Sequence, residues 1–281
     1  MITLLDIGLL NCCCYSCDYC IAKSSYANSV NQKMTDGTLR AIYHTNGMTL
    51  KPTILLNFIK NHFRPEEAII QLSGGEPTIH DAFIPLAETL MALNYKVVVN
   101  TNGNQLKSLA KSADIDLWKV KWRCSWHIQF RDINAFIADI DCLNKENVLI
   151  NYVAHPRRIE SMEIVKDIED LANCGWNYEI TPFQGLWNEK EWDKNSMVYE
   201  QYITAWKKET KTPMMEVNYL SINPNGNIMR CHRVNVGNVY QNQLKERYPQ
   251  IKQVCGYKDN GNTSCSLVQS LYLLGLIKNE G

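Results

Sequence analysis

From Leu4 to Pro182 the sequence alternates short apolar runs with longer segments of helical spacing, and this rhythm restricts the available folds more than any other feature. The runs "LLDIGLL", "AIIQL", "YKVVVNTNG", "WKVKWRCSWHIQF", "VLINYVAH" and "WNYEITPF" read as strands. Between them "TILLNFIKNHF", "DAFIPLAETLMAL", "NQLKSLAKSA", "INAFIADIDCLNKEN" and "IESMEIVKDIEDLANCG" read as helices. In the first of these, Ile54, Leu55, Phe58, Ile59 and His62 share one side. Strands alternating with helices of this length indicate parallel βα units. The predicted class is α/β, as a barrel or an open doubly wound sheet. Six units are two short of a complete eight-unit barrel.

The rhythm breaks into polar loop around Trp187 to Asn195, and "YEQYITAWKKET" reads as a further helix. From Pro213 the character changes. "VNYLSINPNGNIMRC" predicts a β-hairpin with "NPNG" at its turn, Asn and Gly supplying positive φ. A loop-rich remainder carries Cys231, Cys255 and Cys265 and ends in a short helix. These changes put a boundary near residue 212, dividing the chain into 1–212 and 213–281.

Lys plus Arg and Asp plus Glu are both 29, so no net field recommends nucleic acid or an anionic membrane as partner. The start "MITLLDIGLLNCCC" lacks the marks of a secretory signal, and "LVQSLYLLGLI" is about half a membrane span. The expectation is a cytoplasmic protein without membrane association.

In that compartment the stretch "NCCCYSCDYC", Asn11 to Cys20, points to metal ligands or catalytic groups before disulfides, and the total of 11 cysteines forbids complete internal pairing. Cys13, Cys17 and Cys20 form C-x3-C-x2-C; Cys14, Cys17 and Cys20 form C-x2-C-x2-C, the start of a ferredoxin run whose continuation is missing. Zinc would need further ligands nearby. Three thiolates on one loop leave one iron of a 4Fe–4S cube without a protein ligand.

With these residues the sequence resembles the radical S-adenosylmethionine enzymes. Their C-x3-C-x2-C motif follows the first barrel strand, with an aromatic residue, here Tyr19, before the third cysteine. "SGGEP" (Ser73 to Pro77) ends the second predicted strand, where the family has its GGE motif, and "NTNG" (Asn100 to Gly103) ends the third. The resemblance covers roughly residues 1–190. It implies a partial (βα)6 barrel in which Cys13, Cys17 and Cys20 hold a 4Fe–4S cluster. S-adenosylmethionine would chelate the open iron, with its amine near the carbonyls of Gly74 and Gly75 and near Glu76, beside Pro77. Tyr19 would lie against the adenine, and Asn100, Thr101 and Asn102 would line the same site. Cys14 competes with Cys13 as first ligand.

Along "VKWRCSWH" side chains alternate faces. Val120, Trp122, Cys124 and Trp126 should face the covering helices; Lys121, Arg123, Ser125 and His127 should face inward. In the family this strand end often carries Ser-x-Asp or Ser-x-His against the cofactor ribose, and "SWH" resembles it. Ser125 and His127 are therefore candidate cofactor contacts. Arg123 is a candidate or a polar plug. His155 and Thr181 end the fifth and sixth strands, His155 reading first as structural. His44, His62 and His80 read as ordinary helix residues, and Cys124, Cys142 and Cys174 as core. Trp187 and Trp192 could rim a substrate mouth.

"SINPNGNIMRCHRVNVGNVYQ" resembles the hairpin that opens the auxiliary-cluster (SPASM/twitch) domains following many such barrels. Cys231, Cys255 and Cys265 keep the order, but the cysteine expected before the hairpin is missing. Three outcomes follow: a second iron–sulfur cluster with an open iron or His232 as fourth ligand, zinc held with His232, or a remnant without metal.

The expected activity is reductive cleavage of S-adenosylmethionine to a 5′-deoxyadenosyl radical, which abstracts hydrogen from a small-molecule, nucleotide or carrier-presented substrate. An external flavodoxin- or ferredoxin-type donor would supply the electron. With its first strand within a few residues of Met1, the sequence shows no obvious N-terminal peptide-recognition module, which tilts this expectation modestly away from peptides. The alternatives are a peptide- or protein-modifying maturase and, in another class, a non-catalytic iron–sulfur carrier or sensor.

Overall fold

A computed structural model of the chain describes residues 2–11, 13–15, 17, 50–112, 119–182, 186–187, 190–191, 217–230, 234–245 and 266–277. Tyr19, Cys20, His44, Trp192, Cys231, His232, Cys255, Cys265 and the helix expected over "YEQYITAWKKET" lie outside the described residues.

The expected alternation is present. In order come β1 (Thr3–Gly8), α1 (Pro52–His62), β2 (Ala68–Ser73), α2 (Phe83–Ala92), β3 (Lys96–Thr101), α3 (Leu106–Ser112), β4 (Lys121–Trp126), α4 (Ile133–Ile140), β5 (Val148–Ala154), α5 (Pro156–Glu160), α6 (Glu163–Asn173) and β6 (Asn177–Pro182). Local chemistry sets several of these ends. Pro52 and Pro156 occupy first-turn positions, where a missing N–H costs nothing. Asp132 caps α4 by accepting from Ala135 N at 2.8 Å. The single helix expected over "IESMEIVKDIEDLANCG" is two, because Met162 takes φ 59° and halts the first turn.

β7 (Leu186–Trp187) and β8 (Lys190–Glu191) form a two-stranded antiparallel ribbon where loop was expected; pairs this short give no periodic signal. β9 (Asn218–Ile222), β10 (Asn227–Arg230), β11 (Val234–Asn238) and β12 (Gln243–Leu244) follow, then α7 (Ser266–Leu273). The β9–β10 turn closes through Gly226 N donating to Asn223 O at 2.8 Å. Of its residues Gly226 alone has positive φ, 82°, and a Cβ there would meet the Tyr240 ring at 2.4 Å.

All strands except β7 and β8 join one ten-stranded sheet in the order β12-β11-β10-β9-β1-β2-β3-β4-β5-β6. β1 to β6 are mutually parallel. β9 runs parallel on the other side of β1, Leu4 opposite Tyr219, so the hairpin segment extends the same sheet. The class is thus mixed α/β with a large, mostly parallel sheet.

One face of the sheet buries Leu5, Ile7, Ile70, Leu72, Val99, Trp122, Cys124, Trp126, Ile150 and Tyr152 against α1, α2, α4 and α6, whose Phe58, Phe83, Leu90, Phe136 and Leu171 belong to the same core. Cys124 is core as expected, but Cys142 is partly buried and Cys174, at the end of α6, is exposed. On the other face Leu4, Ile69, Val98, Leu149, Val217 and Tyr219 gather with Leu271, Leu274, Leu276 and Ile277 from and after α7. α7 thus lies on this second, inner face of the sheet, where its cluster takes residues from near the N-termini of β1, β2, β3 and β5. Among the described residues no helix is long and apolar enough to cross a membrane.

Candidate functional site

Above that apolar floor the inner face turns polar. Asp6 in β1 accepts from Gln71 Nε2 at 2.9 Å, from Ser73 Oγ and from Tyr219 Oη at 2.7 Å, tying β2, β1 and β9 together. Arg123 faces inward as expected and is ion-paired with Glu179, whose other oxygen accepts from Ser270 Oγ of α7 at 2.7 Å. Glu179 is only 1 % exposed. This pair locks α7 to the sheet, which matches the polar-plug reading of Arg123. Ser125, Asn151 and Thr181 form a hydrogen-bonded row from β4 to β6. Asn100 Oδ1 is buried and has no hydrogen-bond partner among the described residues.

The strand C-termini carry the chemistry-bearing residues. After Gly8 the chain is held to the β2 turn by Leu9 N donating to Ser73 O at 3.0 Å and Gly75 N to Leu10 O at 2.8 Å. Gly74 has φ 127°, and a Cβ would fall 2.4 Å from Leu10 O, so this approach needs glycine. Glu76 is 1 % exposed. Its Oε1 accepts from Thr78 N, Thr78 Oγ1 and Thr101 Oγ1 at 3.2, 2.6 and 2.7 Å, and its Oε2 from Asn102 N at 2.7 Å. Burial raises its pKa, and these donors partly offset the rise. The Gly-Gly-Glu turn and the "TNG" strand end are therefore one hydrogen-bonded unit, with Pro77 opening the single turn between them.

That unit aims at the cysteine loop. Asn102 Nδ2 donates to Cys14 Sγ at 3.1 Å and to Cys13 Sγ at 3.6 Å. The Cys13 thiol is raised by its hydrogen bond with Cys14, and Cys14 is lowered by the same contact. Cys17 Sγ lies 3.5 Å from His127 Nδ1. Burial pulls His127 down to about 4, leaving it neutral at pH 7. His127 thus adjoins the thiol loop itself. Tyr15 stacks on Phe130 at 4.3 Å and meets His127 edge-on at 5.8 Å. Burial pushes its phenol up to about 12.

His155 caps α5, Nδ1 accepting from Arg157 N at 3.2 Å, a structural role. His80 follows a single 3-10 turn instead of lying on a helix and accepts from Ala82 N at 3.0 Å. Trp187 falls in β7. Sequence reasoning missed Asp6, Tyr15, Asn151 and Tyr219. Asp6 and Asn151 stand at inward positions of their strands, so the alternation used on β4 would have found them; nothing in the sequence signals Tyr15 or Tyr219.

Among the described residues no group of three or more His, Cys, Asp or Glu is placed to hold a metal ion. The donor set nevertheless fits an iron–sulfur group. Two motif thiols, soft ligands, lie at strand ends, Cys13 against Asn102 after β3 and Cys17 against His127 after β4. An amide N–H faces one of them, a donor suited to anionic sulfur. Asn100, whose buried Oδ1 has no partner among the described residues, stands two residues before Asn102 on the same strand end.

Sheet, helices and site together define a mixed α/β fold with its candidate site at the C-terminal edge of a mostly parallel sheet. No family model matches the chain, and no curated protein sequence matches it. Solved structures of this fold include Streptococcus suis SuiB, at TM-score 0.52 and 12 % identity over 85 % of this chain. SuiB bound to S-adenosylmethionine gives 0.54 and 15 %, covering 96 % of this chain and 72 % of SuiB. SuiB bound to precursor peptide SuiA gives 0.51 and 12 %, covering 98 % and 66 %. In the first comparison the chain spans 64 % of the SuiB chain. At these identities the likeness is one of fold.

Proposed function

We propose that the chain is a radical S-adenosylmethionine enzyme built on a partial (βα)6 barrel, with a C-terminal auxiliary-cluster-like segment from about residue 213. One observation carries this reading: the cysteine loop, the Gly74–Glu76 turn and the Thr101–Asn102 strand end are joined by direct hydrogen bonds. A fold shared with SuiB, one structure of which is a complex with S-adenosylmethionine, supports it.

In this reading Cys13, Cys17 and Cys20 hold a 4Fe–4S cluster. Gly74, Gly75, Pro77, Asn100, Ser125 and Tyr19 surround S-adenosylmethionine. With both bound, the site would supply reductive cleavage: one electron from an external low-potential donor would break the sulfonium C–S bond to give methionine and a 5′-deoxyadenosyl radical, which would take hydrogen from substrate. Glu76 has four protein donors, about the capacity of a carboxylate, so its part is to hold the turn and the "TNG" end in register. His127 packs against Cys17 and helps shield the loop from water.

Two substrate readings stand. A small molecule, nucleotide or carrier-presented group is one. A peptide is the other, favoured by the SuiB complex with a precursor peptide. The test is anaerobic reconstitution followed by assay for 5′-deoxyadenosine with S-adenosylmethionine and dithionite. Iron, sulfide and product are expected in the native protein and in Cys14→Ala, and none in Cys13→Ala. Cluster without product would make it a carrier or sensor. Loss of iron in Cys14→Ala alone would move the first ligand to Cys14.

A further inference from the structure

The row of side chains across β4, β5 and β6 has a direction. Thr181 Oγ1 donates to Asn151 Oδ1 at 2.7 Å, and Asn151 Nδ2 donates to Ser125 Oγ at 2.9 Å. Asn151 is 7 % exposed and stands level with Ser125 in the parallel register. A serine hydroxyl has one proton and two lone pairs. Here the amide occupies a lone pair, so the proton remains for an acceptor outside the row. A carboxylate at 151 could not give this result, because it would take the Ser125 proton itself.

We propose that Asn151 is a positioning residue that sets Ser125 as a hydrogen-bond donor to an oxygen of bound S-adenosylmethionine. The proposal rests on the reading above that Ser125 contacts this molecule. With the amide reversed, Ser125 would donate to Asn151 and could only accept from a ligand. Direction therefore decides which ligand atoms the site selects.

The test is equilibrium binding of S-adenosylhomocysteine, an unreactive probe, to full-length reconstituted protein by calorimetry. Ser125→Ala is expected to weaken binding about tenfold, the worth of one well-made hydrogen bond. Asn151→Asp is expected to weaken it comparably, and in the Ser125→Ala background to add little. Any direct effect of the new charge enters both backgrounds and cancels in the cycle. Equal losses in both backgrounds, or no loss in either, would overturn the proposal. Should Asn151→Asp fail to fold, Asn151→Ala serves: without the amide donor the Ser125 hydroxyl is no longer held in direction, so binding weakens only where Ser125 is present. No binding by the native protein would remove the enzyme reading and this proposal together; binding without coupling removes the proposal alone.

Discussion

Gly74 and Glu76 do different work within one turn. Gly74 permits backbone contact that any Cβ would block at Leu10 O, at a φ that other residues rarely adopt. Gly74→Ala is expected to destabilise the fold by about 1–3 kcal/mol and to loosen the cysteine loop. Urea melts together with iron retention after reconstitution check both effects, and an unchanged midpoint would refute the first. For Glu76→Gln, the new amide group would face Asn102 N, donor against donor, at a cost of about 1–3 kcal/mol. The pH dependence has a definite sign. Burial raises the folded pKa of Glu76 above 4.5, so the folded state holds that proton more tightly than the unfolded one. Its contribution is fully present below pH 4.5 and fades as pH rises through the folded pKa. Relative to Glu76→Gln, the native protein should lose stability on going from pH 4.5 to 7; a difference that is flat with pH would contradict this.

At the scale of elements, the βα alternation was legible because each strand and helix declares itself within ten or so residues. Trp122, Cys124 and Trp126 turn to the helices and Arg123 and Ser125 turn inward, as period two requires. The functions of the inward residues were less legible, since they depend on partners far along the chain. Arg123 meets Glu179 and, through it, Ser270, a pairing no local pattern encodes. Removing Arg123 strands the Glu179 carboxylate at 1 % exposure. Arg123→Leu is expected to cost roughly 3–5 kcal/mol, whereas Arg123→Leu with Glu179→Leu should recover much of the loss. Thermal unfolding of the three proteins decides the matter. Equal losses in single and double variants would mean that the pair itself carries the stability.

For the molecule as a whole, the change of composition near residue 212 pointed to a separate appendage, while the strand pairing ties that segment into the sheet. β9 lies against β1 with Thr3 opposite Asn218, Asn218 Nδ2 donating to Thr3 Oγ1 across 215 positions of sequence. Only long-range register reveals such a pairing, which is why periodicity could not. Its consequences reach the site. Tyr219 supplies one of the donors on Asp6, and Gly8, where the cysteine loop begins, has a backbone neighbour in Ile222. The floor of the inner face takes Val217, Tyr219, Leu271, Leu274, Leu276 and Ile277 from the same segment. A fragment of residues 1–212 would bare the β1 edge, a row of unpaired backbone groups prone to association. It would also uncover Leu4, Ile69, Val98 and Leu149, each worth roughly 1.5–3 kcal/mol when buried. Losses of that size are comparable with the whole margin of a typical domain, about 5–15 kcal/mol, before the ladder bonds are added. The fragment is therefore expected to aggregate or to bind hydrophobic dye with a broad, uncooperative melt. A monomeric fragment with a sharp melt and retained near-ultraviolet dichroism would show instead that the first six βα units stand alone and that the hairpin segment is an independent body.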